Sequence, residues 1–594
     1  MAAFAAATTP PSNLYDLTTS DAGKVDGYSS QYSGNYSASK AFDGNWTADK
    51  SRWLTKANNP TGWIVYKFNV PTVVDSIRVF SPQASFEASR APKTWTFEGS
   101  NDNSDWTVLD TQTDQTGWSL TDKRYYKLAA PGTGVQNTKA YQYYKFNCTA
   151  NNGADKLQIG EFEFYCVGMG DCTWTGGGET GLVNDDVNWG GAAMPGSEYE
   201  AQINNTGSIP ATIPAGLTVY KSMVLANGNG KSAKVEQTTG TIELRTGGTF
   251  GRAGGTAEYA ISGGKLVLDY ILYMSAKEGK SSSLLDISGD GEVVLSHELY
   301  MCTASASAGS TARINISDSG KFSAAEVRLG TVGSCSTGTV HQAGGTFSAN
   351  SALCVGYSGN DYGEYKMSGG TCSTSGDITI GYDGSSQGLF EMTGGTLNCG
   401  NRLSIGRYGR GTFVASGDGT IATAVESVRV GFKNGNNIGY GTLIVTNGAK
   451  IATKRIFAGA GTSYPETAKV VFDGAVLTAT ASSTSSAKLL EDLCDITLGA
   501  GGLTINTEGN NVTIANCTFN VTPGAKITVE GGGTVTFADT TVNLTETPAR
   551  AFTFAETDGA FSGLPTLSGA GGTKLVGDTS RITIVPSGMV LIVR

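Results

Sequence analysis

Residues able to do covalent chemistry are sparse in this chain. It holds two histidines among 594 residues. His297 stands beside Glu298 in a strand-like stretch, and His341 falls in Thr339-Val340-His341-Gln342. Neither has a serine or cysteine motif nearby, which disfavours a nucleophilic triad. Acid–base cleavage of a polymer needs paired carboxylates, or carboxylates beside a lysine or arginine base, on one solvent face. The outward candidates are Lys366, Glu391, Thr379 and Ser404, and Arg407, Arg410 and Glu391 form a small charged spot. A solvated surface accounts for these residues, so no catalytic group is expected. Ten cysteines show no CxxC spacing, so a zinc site is not expected either. Cys148, Cys166 and Cys172 cluster in sequence, and one pair there is expected to bridge, Cys148–Cys166 being the first choice. Cys372 reads as a small buried hydrophobe.

The elements that carry these residues repeat. Leu353-Cys354-Val355-Gly356, Ile378-Thr379-Ile380-Gly381, Leu403-Ser404-Ile405-Gly406 and Val428-Arg429-Val430-Gly431 recur in steps of 25 residues. A second landmark keeps the same step at Gly344-Gly345-Thr346, Gly369-Gly370-Thr371 and Gly394-Gly395-Thr396. One unit, Gly363–Gln387, contains three short strands, around Tyr365–Met367, Thr371–Ser373 and Ile378–Ile380, separated by Gly, Asn, Asp or Ser turns. A helix-free rung of this length predicts a parallel β-helix, in which equivalent positions of successive rungs stack. Val355, Ile380, Ile405 and Val430 are expected to form one inward column, and Phe347, Cys372 and Leu397 another. Alternation then turns Cys354, Thr379, Ser404 and Arg429 toward solvent. Before the regular zone Leu272/Met274, Leu299/Met301 and Val327/Leu329 occupy the same positions, with loops of varying length between them.

Composition agrees with this reading. The chain is too long for one ordinary domain and carries 82 glycines, as turn-rich β architecture requires. Its net charge of −10 disfavours nucleic acid or an anionic membrane face as the main partner. No apolar run reaches the length of a membrane span. Residues 1–13 read as a flexible lead-in.

Leu14–Val167 lacks the repeat and is dense in tryptophan and tyrosine. Its phrases fall in order: Lys40-Ala41-Phe42-Asp43-Gly44-Asn45, Arg52-Trp53, Gly62-Trp63-Ile64-Val65-Tyr66-Lys67-Phe68, Ala91-Pro92-Lys93-Thr94-Trp95-Thr96-Phe97 with Asp105-Trp106, Tyr141–Phe146, and Leu157-Gln158-Ile159-Gly160-Glu161-Phe162-Glu163-Phe164. Together they resemble the discoidin, or coagulation factor 5/8 type C, family, whose bacterial members include sugar-binding modules. The resemblance implies a jelly-roll sandwich with ligand loops at one end. It also implies a structural calcium held by the Lys40 carbonyl, Asp43, Asn45, Thr47 and Glu161, an oxygen set suited to a hard cation. A sugar site needs an aromatic platform with fixed polar donors around it. Arg90 lies where relatives place a sugar-contacting arginine, and Tyr32, Trp46, Phe86 and Trp118 lie in stretches expected to be loops. Trp53, Trp63, Trp95 and Trp106 are expected in the core.

Residues 168–240 contain Trp174-Thr175-Gly176-Gly177, Asn188-Trp189-Gly190-Gly191 and Pro195-Gly196. They resemble the opening segment of autotransporter-like surface solenoids, and a first rung with an unpaired edge requires such a cap. Repeats over 241–480, then shorter rungs and a closing cap over 481–594 with a last strand at Met589–Val593, complete the organisation. The whole is expected to be all-β. Its function is expected to be that of an extracellular or cell-surface carbohydrate-binding adhesin, non-enzymatic, with a glycan or glycoprotein surface as partner. The alternatives are a self-assembling surface-layer or filament subunit, in which copies of the chain are the partner, and a polysaccharide-active β-helix enzyme.

Overall fold

The structure, a computed structural model, describes residues 15–18, 23–48, 50–82, 87–129, 137, 139–166, 172–174, 181–183, 186–189, 200–204, 210–276, 279–303, 309–331, 336–569 and 573–586. Phe86, the lead-in and the strand expected at Met589–Val593 lie outside the described residues. The chain divides into two compact units, one of residues 1–202 with 218–222, the other of residues 203–217 and 223–594.

The first unit contains an antiparallel sandwich. Its strands are β1 (Tyr15–Asp16), β2 (Gly23–Tyr28), β3 (Trp53–Leu54), β4 (Gly62–Val73), β5 (Ser76–Phe80), β6 (Pro92–Ser100), β7 (Thr107–Gln112), β8 (Lys123–Lys127), β9 (Ala140–Asn151), β10 (Gln158–Ile159) and β11 (Glu161–Cys166). One sheet runs β2-β4-β9-β6-β7, the second β1-β11-β5-β8, and β3 pairs with β10. Period-two alternation sends Ile64, Tyr66 and Phe68 of β4 inward, where they join Trp53, Trp95, Phe97, Phe146 and Phe164 in one buried cluster. The rings meet edge-on or offset: Phe97 and Phe164 are 5.1 Å apart and Phe42 and Phe162 5.4 Å.

Two of the four expected core tryptophans lie elsewhere. Trp63 falls on the outer face of β4, 38% exposed, because Ile64 and Tyr66 take the inward positions. Trp106 is half-buried, with Lys145 Nζ 4.1 Å from its ring centre. The expected Cys148–Cys166 bridge is absent. Cys148 is a free thiol in the sandwich core, and burial pushes its pKa up to about 12. Further on, Trp174 and Trp189 are fully buried, and Trp189 Nε1 donates to Val183 O at 2.8 Å.

The second unit is a parallel β-solenoid of about 14 turns. Leu329, Val355, Ile380, Ile405, Val430 and Ala458 pair in register as one inward column. Phe322, Phe347, Cys372, Leu397 and Ala422 make a second. A third contains stacked rings, with Tyr365 and Phe390 4.5 Å apart and Phe390 and Phe413 5.5 Å. Tyr365 Oη donates to Gln342 Oε1 at 2.6 Å, which satisfies its buried hydroxyl. The period is broken at Gly431–Gly441, where Phe432 and Asn434 pair antiparallel with Gly439 and Asn437 in a small hairpin.

The outward column differs from expectation. Tyr300, Arg328, Cys354, Thr379, Ser404, Arg429 and Phe457 do pair in register on the outer face. Yet Cys354, Thr379 and Ser404 are 3%, 4% and 1% exposed. The residue after each rung glycine (Tyr357, Tyr382, Arg407, Phe432) keeps the same period, and these large side chains build up beside the small ones. Tyr357 and Tyr382 stack at 4.8 Å, and Arg407 lies 4.5 Å from the Tyr382 ring centre.

Candidate functional site

Loops at one end of the sandwich gather most of the residues singled out in the sequence. A short 3-10 turn, Ala38–Phe42, ends at Asp43, and the chain then turns through Gly44 at φ +68°. Asp43 accepts from Lys40 Nζ at 2.9 Å, from Asn45 N at 3.1 Å and from Ser51 Oγ at 2.8 Å. Asn45 Oδ1 accepts from Thr47 N at 3.2 Å and Thr47 Oγ1 at 3.1 Å. Glu161, far away in sequence and 2% exposed, reaches the same turn, its Oε1 accepting from Gly44 N at 3.3 Å. The structure thus gathers Lys40, Asp43, Asn45, Thr47 and Glu161 around one turn. Asp43, Glu161, Asn45 and Thr47 offer hard oxygen donors at this turn, the kind a cation such as calcium takes, while Lys40 presents its ammonium to Asp43. No group of three or more His, Cys, Asp or Glu side chains with metal-binding spacing occurs among the described residues.

A second constellation runs along neighbouring loops. Trp53 Nε1 donates to Ser30 O at 2.8 Å, and Tyr32 N donates to Leu54 O at 2.7 Å. These bonds fix the 29–32 loop and leave the Tyr32 ring 53% exposed. Lys156 Nζ lies 5.8 Å from the Tyr32 ring centre and pairs with Asp155 at 2.8 Å. The hydrogen bond from Lys156 holds the Asp155 carboxyl below its ordinary range, and the Arg90 charge acts in the same direction. Ala154 N donates to Ser89 O at 3.1 Å, which brings the loop to the short turn bearing Arg90. Arg90 pairs with Glu87 at 2.8 Å. An exposed aromatic face and a row of charged donors therefore share one edge.

The other predicted contact residues are placed differently. Trp46 lies 5.6 Å from Phe80, with Lys123 Nζ 4.2 Å from its ring centre, so it borders the oxygen cluster rather than Tyr32. Trp118 is a correction. It is 5% exposed, its indole N–H donates to Pro92 O at 3.0 Å, and the Arg124 guanidinium lies 4.0 Å from its ring centre, so its polar edge and a ring face are already taken. Tyr36 was not singled out in the sequence. It packs edge-on to Tyr32 at 6.1 Å with Arg52 4.8 Å from its ring centre, and only its proximity to Tyr32 in sequence hinted at this.

A groove of about 580 Å³ on the solenoid is lined in part by Asp286, Arg313, His341, Lys366 and Glu391. Its charges are only partly paired. Arg313 Nη2 and His341 Nδ1 are 2.8 Å apart, Lys366 and Glu364 2.9 Å, and Asn315 donates to Asp286 at 3.0 Å. Burial and the Arg313 charge lower the His341 pKa below its ordinary value.

The fold and loops define an antiparallel sandwich of discoidin type followed in sequence by a parallel solenoid. Residues 27–161 match the F5/8 type C domain family. A peptide-N(4)-(N-acetyl-beta-glucosaminyl)asparagine amidase of Arabidopsis thaliana is 32% identical over 129 residues, which is 22% of this chain; the chain spans 17% of that protein. Among solved structures, chitosan-binding module 1 of a chitosanase/glucanase from Paenibacillus sp. IK-5 is 21% identical, covering 26% of this chain and 99% of its own at a TM-score of 0.20. A family 32 carbohydrate-binding module from Clostridium perfringens, solved with galactose, is 16% identical, with 26% and 99% coverage and a TM-score of 0.20. No described helix is long and apolar enough to cross a membrane.

Proposed function

We propose that the sandwich is a glycan-binding module and that the solenoid is a stiff extracellular scaffold presenting it. The observation that carries this reading is the loop edge where the exposed Tyr32 ring adjoins Lys156, Asp155 and Arg90. A sugar offers an apolar face of C–H groups and an equator of hydroxyls. An exposed ring with charged donors beside it meets both demands. The match of residues 27–161 to the F5/8 type C family supports the assignment. A solenoid whose rungs bond only to their neighbours supplies length and stiffness.

Asp43, Asn45, Thr47, Glu161 and the Lys40 carbonyl would hold a structural calcium. The cation would fix the 43–51 loop and offset the charge of the deeply buried Glu161. The chain is read as non-enzymatic: beside the 580 Å³ groove His341 and Lys366 both lie against the Glu364 carboxylate, at 3.8 and 2.9 Å, and Asp286 is taken by Asn315. The test is a glycan array probed with the full chain, its Tyr32→Ala and Arg90→Ala variants, and the chain in chelator. Binding by the parent that both variants lose supports the reading. A folded parent that binds nothing with or without calcium rejects it.

A further inference from the structure

Three arginines, Arg402, Arg407 and Arg429, converge on the outer face of the solenoid around a recess that one acid, Asp377, also lines. Arg402 and Arg407 belong to one rung and Arg429 to the next, about 4.8 Å along the stack. They surround a recess of about 120 Å³ floored by the small side chains of Thr379 and Ser404 and walled by Tyr408 and Phe432. The floor is low because the outward column narrows to small residues there. The far wall exists because the hairpin at Gly431–Gly441 raises Phe432 above the rung.

None of the three guanidiniums forms an ion pair among the described residues, although acidic residues exceed basic ones by ten in the sequence. Asp377, the one acid lining the recess, directs Oδ1 to Asn401 Nδ2 at 2.7 Å and to Arg402 N at 3.2 Å. Arg429 Nε is buried and donates to nothing. Aromatic stacking accounts for the flat faces only. Arg429 lies 4.2 Å from the Phe432 ring centre and Arg407 4.5 Å from that of Tyr382. A guanidinium stacked in this way still presents its in-plane N–H edge, and that edge matches an oxyanion. The pKa of Arg429 falls to about 10, from burial first and then from repulsion by Arg402 and Arg407, against the opposing charge of Asp377.

We propose that this recess binds an oxyanion, sulfate or carboxylate, carried by a saccharide. The three arginine edges and the Thr379 and Ser404 hydroxyls take the oxyanion, and Tyr408 and Phe432, packed on each other at 5.4 Å, border the sugar that carries it. The solenoid then contributes a second, charge-selective sugar site, independent of the sandwich.

Isothermal titration and thermal unfolding of the full chain test this with four probes: sodium sulfate (against chloride at equal ionic strength), galactose 6-sulfate, galacturonate and galactose. Arg429→Gln is the variant, and Lys469→Gln, on an exposed strand position, is the charge control. At least one acidic sugar is expected to bind roughly 10-fold tighter than inorganic sulfate and than galactose. Arg429→Gln should weaken it by about 10- to 100-fold, the loss expected for charge-assisted hydrogen bonds, while Lys469→Gln leaves it unchanged. Without ligand, Arg429→Gln should melt no lower than the parent, because it removes a charge that two neighbours repel. Acidic-sugar affinity equal in parent and Arg429→Gln overturns the site. Inorganic sulfate binding as tightly as the sugars overturns the saccharide assignment, and galactose binding as tightly overturns the oxyanion.

Discussion

Replacing Gly406 and, separately, Gly384 by alanine isolates what the rung glycines do. Both have left-handed backbones, at φ +72° and +52°. They differ in their surroundings. A Cβ on Gly384 would meet nothing within 4 Å, whereas one on Gly406 would press into the Tyr440 carbonyl and lie 2.7 Å from Gly441 N. Both variants carry the left-handed cost of roughly 1–2 kcal/mol. That cost is partly offset by the stiffer unfolded chain, by about 0.4–1 kcal/mol. Gly384→Ala is therefore expected to lose about 0.5–1 kcal/mol. Gly406→Ala adds overpacking against main chain that cannot rotate away, about 1–3 kcal/mol more. Hydrogen exchange at the Gly406 and Arg407 amides, bonded to Ile380 O at 2.7 Å and Gly381 O at 2.9 Å, reports the local opening energy. An added 1–3 kcal/mol corresponds to roughly 5- to 150-fold faster exchange in Gly406→Ala than in Gly384→Ala. Equal acceleration in the two variants would show that main-chain stacking at Gly406 does not set the rung spacing.

Three further outcomes follow from the sandwich and the columns. Asp110 is largely buried, and desolvation raises its pKa to about 6 from 3.8. Its folded pKa lies above its unfolded one, so stability falls as pH rises from about 4 through 6, by about 3 kcal/mol in all. Asp110→Asn keeps an acceptor for Gln112 and should flatten that slope in pH-dependent thermal unfolding; an unchanged slope would refute it. Calcium at about 2 mM, with an affinity near 0.1 mM, should stabilise the sandwich by about 2 kcal/mol in the parent and not in Glu161→Gln; a melting temperature that ignores chelator would contradict the site. Ile380→Ala, in the fully buried column between Val355 and Ile405, should cost about 2–5 kcal/mol in denaturant titration, and a loss under 1 kcal/mol would deny that the column is close-packed.

The inward columns were legible because a parallel solenoid pairs each residue with its equivalent one period on, so Val355, Ile380 and Ile405 had only to share a spacing. The outward face was not legible from alternation. Alternation gives direction, whereas burial also depends on what rises alongside. Cys354 and Thr379 are covered because bulky residues follow each rung glycine, a signal present in the same period at Tyr357, Tyr382, Arg407 and Phe432. The oxygen cluster was legible only through the resemblance, since Glu161 meets Gly44 across 117 residues. Trp118 defied its loop position because its N–H found the Pro92 carbonyl in the interior. The hairpin at Gly431–Gly441 hid inside one long step, and with it the far wall of the arginine recess.

The central claim, that the sandwich edge around Tyr32 and Arg90 binds glycan, is tested most directly by probing a glycan array with the full chain beside its Arg90→Ala variant, each with calcium and with chelator. The account predicts a defined set of glycans bound by the parent with calcium, and loss of that set in Arg90→Ala. Retention of the same set by a folded Arg90→Ala variant, or no binding by the parent in either condition, would contradict it.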